Sequence, residues 1–122
     1  MHNSILIRNL STTTNHELKV LVAGSFLSRL QGLIGKTPNS CYEGFLIKRS
    51  LETRLTSGVH TYFLSKPLFI VWINSQMIVS EKTILNPWKF YLPKNPAMYL
   101  FETNPSEYNY WNIGDKLKFY EI

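Results

Sequence analysis

The chain has one cysteine, Cys41, one aspartate, Asp115, and eight acidic residues against thirteen Lys and Arg. A single cysteine excludes an intrachain disulfide and a thiolate metal cluster. Long apolar runs are missing too. The longest, Pro67 to Ile73, falls far short of the ~20 residues that cross a bilayer as a helix. The N-terminal Met1-His2-Asn3-Ser4-Ile5-Leu6-Ile7-Arg8 lacks the apolar stretch and small-residue cleavage site of a secretory signal. A soluble, cytoplasmic protein with no membrane span is therefore expected. Walker loops, serine elbows and dinucleotide glycine fingerprints are all absent. So are internal repeats and low-complexity tracts.

What is present describes a packed domain. Hydrophobic residues make up 44% and aromatics 14%, against 17% charged, and disordered chains carry too little apolar surface for that balance. At 122 residues one core suffices without staples, and residues 1–122 read as a single domain. The net charge of +5 is uneven. Residues 1–66 hold eight Lys/Arg against three Glu, and residues 67–122 hold five of each sign. That surplus is either a solvated face or a surface for an anionic ligand or acidic partner.

Periodicity places the elements. Ser4–Asn9 and Leu18–Ala23 read as strands, the second with Leu18, Val20 and Val22 on one face. Phe26, Leu27, Leu30, Leu33 and Ile34 form a helical stripe, with Ser25 as N-cap and Gly35 and Pro38 at the end. Gly44–Lys48 and Val59–Phe63 read as strands. Leu68–Asn74 is apolar on both faces, as a central covered strand is. Met77–Leu85 is its hairpin partner. Three prolines make Asn86–Ala97 a long irregular loop. Met98–Thr103 and Lys116–Glu121 are strands, with a short helix beginning at Asn104-Pro105 between them. Together these predict an α+β, β-rich domain: a mostly antiparallel rolled or barrel-like sheet of about eight strands, with two short helices.

Three segments carry a family resemblance. Ser28-Arg29-Leu30-Gln31-Gly32-Leu33-Ile34-Gly35-Lys36, Gly58-Val59-His60-Thr61-Tyr62-Phe63 and Asn112-Ile113-Gly114-Asp115-Lys116-Leu117 resemble, in order and spacing, the family catalogued as domain of unknown function 192. The similar region runs from about residue 18 to 119. Pro87-Trp88-Lys89 and Glu102 also fall where that family places similar residues. The resemblance implies a small β-rich α+β domain and no particular reaction. Leu64 stands where the family commonly has Met, Pro67-Leu68-Phe69 where it has Pro-Ile-Asp, and Asn74 where it often has an acid. A polar site built on those acids would be lost here.

Each candidate chemistry competes with a plainer reading. His2, His16 and His60 lie on three separate elements with no nearby acid in sequence, so no metal site and no cofactor are expected. Cys41 would need a base and an electropositive pocket to act as a nucleophile, and His60 is a conceivable base that nothing in the sequence places beside it. Glu102 shares a strand face with Met98 and Leu100 and reads as a structural carboxylate that salt-bridges an Arg or Lys, such as Arg29. Asp115 reads as a structural turn residue. His60 reads as a satisfied core histidine or as part of a shallow polar pocket beside Thr61. Trp88, Lys89, Phe90, Tyr91 and Lys94 interleave rings with cations, a pattern for stacking on bases or sugars, or for capping the open end of the sheet.

The sequence therefore points to a non-enzymatic binding or accessory domain with no catalytic residue. Arg29, Lys36, His60, Thr61, Trp88, Lys89 and Tyr91 are the ligand-binding candidates. Single-stranded nucleic-acid binding is one alternative. A small hydrolase joining Glu102 or Asp115 to His60 is another. A monomer and a homodimer both fit.

Overall fold

The computed structural model describes residues 4–22, 43–53 and 58–122. Among them run nine strands: β1 (Ser4–Asn9), β2 (Glu17–Val22), β3 (Gly44–Thr53), β4 (Val59–His60), β5 (Leu68–Ile73), β6 (Val79–Leu85), β7 (Phe90–Tyr91), β8 (Ala97–Thr103) and β9 (Leu117–Glu121). Seven of them form one sheet in the order β6-β5-β8-β3-β2-β1-β9, and β4 pairs with β7 in a second, small one. All pairings are antiparallel except β2 with β3. A parallel pair needs a crossover connection. The expected Phe26–Ile34 helix falls between Val22 and Gly44, outside the described residues.

The large sheet is rolled, because its two edge strands meet. Ile78 bridges Lys116, Val79 N–H donates to Asp115 O at 2.9 Å, and Leu117 N–H donates to Met77 O at 2.8 Å. Joining the edges hides backbone groups that would otherwise recruit another chain.

Strand β5 explains how the sheet acquires two cores. All six of its residues are buried, and successive side chains point to opposite faces. Phe69, Val71 and Ile73 enter one cluster with Ile7, Leu18, Val20, Phe101 and Trp111. Leu68, Ile70 and Trp72 enter the other, with Val59, Leu64, Leu85 and Leu100. Val59 and Leu64 come from the chain around β4, and Tyr91 of β7 packs on the same cluster. The small sheet is thus fastened to the large one by apolar burial, worth about 1.5–3 kcal/mol per fully buried side chain.

Several sequence expectations need correction. The strand count is nine among the described residues, because Asn86–Ala97 is not wholly irregular. Its Phe90–Tyr91 pairs with Val59–His60, which its prolines permit because they lie outside those two residues. Strand β3 continues past Lys48 to Thr53 through a register shift, which period-two patterning cannot follow. Strand β4 stops at His60, because Thr61 turns the chain. The helix at Asn104 is a 3₁₀ helix, Pro105–Tyr110, capped by the Asn104 side chain, which accepts from Ser106 N–H. None of its residues is buried, so it has no apolar face whose packing would favour a longer α-helix.

Candidate functional site

Two turns, around residues 61–64 and 86–89, lie side by side at the small sheet. One threonine ties them. Thr61 is fully buried. Its hydroxyl donates to Asn86 O and accepts from Lys89 N–H at 3.0 Å. Its N–H donates to Lys89 O at 2.8 Å, and its carbonyl accepts from Trp88 N–H at 2.9 Å and Leu64 N–H at 3.2 Å. Every polar atom of this residue is spent on backbone. Thr61 therefore shapes the surface from beneath.

Above that node sits a cluster of rings. His60 stacks on Tyr62 with centroids 4.5 Å apart. Tyr62 tilts against Trp88 at 6.1 Å, and Phe63 meets Trp88 edge-on at 4.9 Å. Phe90, opposite His60 in the β4–β7 pair, lies over Gly58, where an added Cβ would come within 3.0 Å of its ring. Phe63, Trp88 and Phe90 remain 62%, 60% and 57% exposed. The other two tryptophans, Trp72 and Trp111, are fully buried. Scattered exposed apolar residues are ordinary, whereas contiguous ones mark interaction surfaces.

Two of these rings also occupy strained backbone. Phe63 has φ 70° and Trp88 φ 63°, the left-handed region that disfavours a bulky L-residue by roughly 1–2 kcal/mol. Asn or Gly would sit there more easily. Bulky rings kept exposed in that conformation do not improve stability.

The charges around the rings are one-sided. Residues 58–67 and 86–96 contain Lys66, Lys89 and Lys94 and no Asp or Glu, and all three lysines are exposed. The nearby carboxylate is Glu81, only 7% exposed. It accepts from the Tyr91 hydroxyl and, at 2.8 Å, from Lys94 N–H. The Tyr91 hydroxyl is pushed up to about 12 by that hydrogen bond, then by burial and by the Glu81 charge. Its ring packs on Trp72 at 5.3 Å. The proline-rich segment thus divides its work: Tyr91 caps the second core, while Trp88 and Phe90 face solvent.

The other sequence candidates distribute as follows. Arg29, Lys36 and Cys41 lie outside the described residues. His60 is half-buried at the rim of the ring cluster, and its Nδ1 accepts from Tyr62 N–H at 3.2 Å. Trp88 and Lys89 are exposed on the surface itself. Glu102 is fully buried on β8, between Phe45 and Ile70 in register. Asp115 belongs to a separate polar node. Its Oδ2 accepts from the side chain of buried Asn9 at 2.7 Å and from Asn112 N–H at 2.8 Å, and Asn9 also donates to Tyr110 O at 2.8 Å. Among the described residues no three His, Cys, Asp or Glu are grouped to hold a metal ion.

Sequence reasoning missed Tyr62 and Phe63, because it assigned Val59–Phe63 to one strand. The available signal was Ser65-Lys66-Pro67 two residues on, a turn composition that leaves preceding rings at a loop. A second polar cluster was also missed. His16 stacks on Tyr110 at 4.0 Å, and its Nε2 lies 2.8 Å from Glu107 Oε1, which also accepts from Trp111 Nε1–H at 3.0 Å. Beside it Arg8, paired with Glu17 at 2.5 Å, borders a shallow open depression of about 560 Å³. The Glu17 hydrogen bond holds the Arg8 guanidinium above its ordinary value. Those charges are already matched within the chain.

Comparison with known proteins places this geometry among relatives. No family model matches the sequence. A UPF0127 protein of Pyrococcus furiosus is 34% identical over 95 residues, covering 76% of this chain and 79% of the relative. A UPF0127 protein of Pyrococcus horikoshii is 32% identical over 117 residues, covering 94% and 99%. The crystal structure of a protein from Sinorhizobium meliloti 1021, described as a candidate transcription regulator, superposes with a TM-score of 0.76 at 19% identity. The match covers 97% of this chain and 93% of that one. At that identity the likeness carries the fold alone.

Proposed function

This chain belongs to the UPF0127 family, and from that premise we propose that it is a small non-enzymatic binding or accessory domain of the cytoplasm. On this reading residues 1–122 form one domain, and the resemblance to domain of unknown function 192 is to the same family. The family name assigns no reaction. The ligand surface is the ring cluster of Tyr62, Phe63, Trp88 and Phe90, rimmed by His60 and Lys89, with Arg29 and Lys36 as further contributors from sequence.

One observation carries the reading. Two large rings, Phe63 and Trp88, stand 62% and 60% exposed on left-handed backbone, over turns that the buried Thr61 fixes. Strain and exposure both oppose folding, while the rigid support lowers the ordering cost of binding. The chemistry-bearing side chains Thr61, Glu81, Glu107 and Asp115 are each engaged in holding the fold, which favours binding over catalysis.

The test uses the double variant Phe63→Asn with Trp88→Asn, since Asn tolerates this backbone region. Equilibrium binding is measured to three probes: single-stranded oligothymidylate, anionic phospholipid vesicles and a soluble glucan. The reading expects at least one probe to bind the native chain and to be lost in the variant with no fall in melting temperature. Binding that survives the double substitution in full would overturn it.

A further inference from the structure

Resting on the reading of the ring cluster as a binding surface, we propose that its ligand is an anionic phospholipid surface. Phe63, Trp88 and Phe90 enter the interfacial layer, while Lys66, Lys89 and Lys94 lie against the headgroup phosphates.

The ring geometry selects this occupant. Single-stranded nucleic acid needs ring faces free for successive bases. Here Trp88 is met edge-on by Phe63 at 65° and by tilted Tyr62 at 34°, with centroids 4.9 and 6.1 Å away. The rings lean on one another at an angle instead of standing as parallel platforms, and with Phe63 and Trp88 62% and 60% exposed they make one apolar knob. Such a knob, with a tryptophan and a tyrosine among phenylalanines, matches the layer where hydrocarbon gives way to headgroups, since Trp and Tyr are amphipathic.

The charge selects the kind of lipid. The two loops carry three exposed lysines and no acid, and Glu81 is buried and engaged. Each lysine near an anionic leaflet adds to the attraction. A second copy of the chain is disfavoured as occupant, because a two-fold contact would set these lysines against themselves. Docking would be shallow and would require no spanning helix. Among the described residues none is long and apolar enough to cross.

The experiment sediments the full chain with mixed phosphatidylglycerol–phosphatidylcholine vesicles and with pure phosphatidylcholine. Trp88 emission is read alongside, because Trp72 and Trp111 are buried and only Trp88 should respond. The proposal expects a blue shift with the mixed vesicles and a partition coefficient about a hundredfold above that for the neutral ones. It expects a loss of about tenfold or more in Phe63→Asn/Trp88→Asn, by the apolar area withdrawn. It also expects the triple Lys66→Gln/Lys89→Gln/Lys94→Gln variant to lose most of that hundredfold preference for anionic vesicles. Trp88 responding to oligothymidylate but not to vesicles overturns the lipid proposal while the surface reading stands. Vesicle binding that ignores the ring substitutions overturns both. Binding to neither probe overturns the lipid proposal.

Discussion

Replacing Thr61 by Val keeps the shape of the side chain and removes one oxygen. That oxygen donates to Asn86 O and accepts from Lys89 N–H at 3.0 Å, so two backbone groups lose a partner. A net loss of about 1 kcal/mol per bond, plus a contribution for groups left poorly solvated beside a buried side chain, gives about 2–3 kcal/mol. Unfolding entropy near 2.1 cal/mol/K per residue gives about 0.26 kcal/mol/K for 122 residues. The melting temperature should fall by about 8–12 °C. Urea unfolding followed by circular dichroism reads this as a lower midpoint at unchanged slope. The backbone pair Thr61 N–Lys89 O remains, so the two turns should loosen rather than separate, and Trp88-dependent binding should weaken along with stability. A loss below about 0.5 kcal/mol, the level of an ordinary surface substitution, would refute the idea that this hydroxyl fixes the turns.

Asn9→Asp would set a second carboxylate 2.7 Å from Asp115 in a fully buried position. It should destabilise by about 3 kcal/mol at neutral pH, read by chemical denaturation. Gly44→Ala would drive a Cβ to within 2.2 Å of Glu102 O, a backbone atom, and should cost about 3 kcal/mol in the same assay. Tyr91 ionises near 12 in the fold, against an ordinary value of 10.0. The native state therefore holds its proton where the unfolded chain has lost it. This contribution is complete below pH 10 and disappears as pH rises through 12. Alkaline melting of Tyr91→Phe should lack the decline between those values.

Much of the fold was legible because a few segments carry unambiguous patterns. Leu68–Ile73 is apolar at every position and is buried on both faces. Ser4–Asn9, the apolar Ile5-Leu6-Ile7 run with polar ends, is a strand over the expected residues, and Asn104-Pro105 announces a helix start that the structure supplies in 3₁₀ form. Two things were not legible. The β4–β7 pair is two residues long on each side, too short for periodicity to register, and it depends on Thr61 reaching across 25 residues to Asn86. The exposure of Phe63 was hidden because a ring in a sequence reads as core. Only its φ of 70° and the neighbouring Thr61 turn bring it outward. Of the loop residues singled out in the sequence, Trp88 and Lys89 are exposed, whereas Tyr91 packs inward on Trp72.

The ring cluster as a docking face is tested most directly by the three tryptophan indole N–H resonances during titration with phosphatidylglycerol-containing bicelles. The account predicts that the Trp88 signal moves together with backbone signals of residues 60–66 and 86–91, while those of buried Trp72 and Trp111 stay in place. A stationary Trp88 signal, with perturbations gathered instead around Arg8, His16 and the depression beside them, would contradict it.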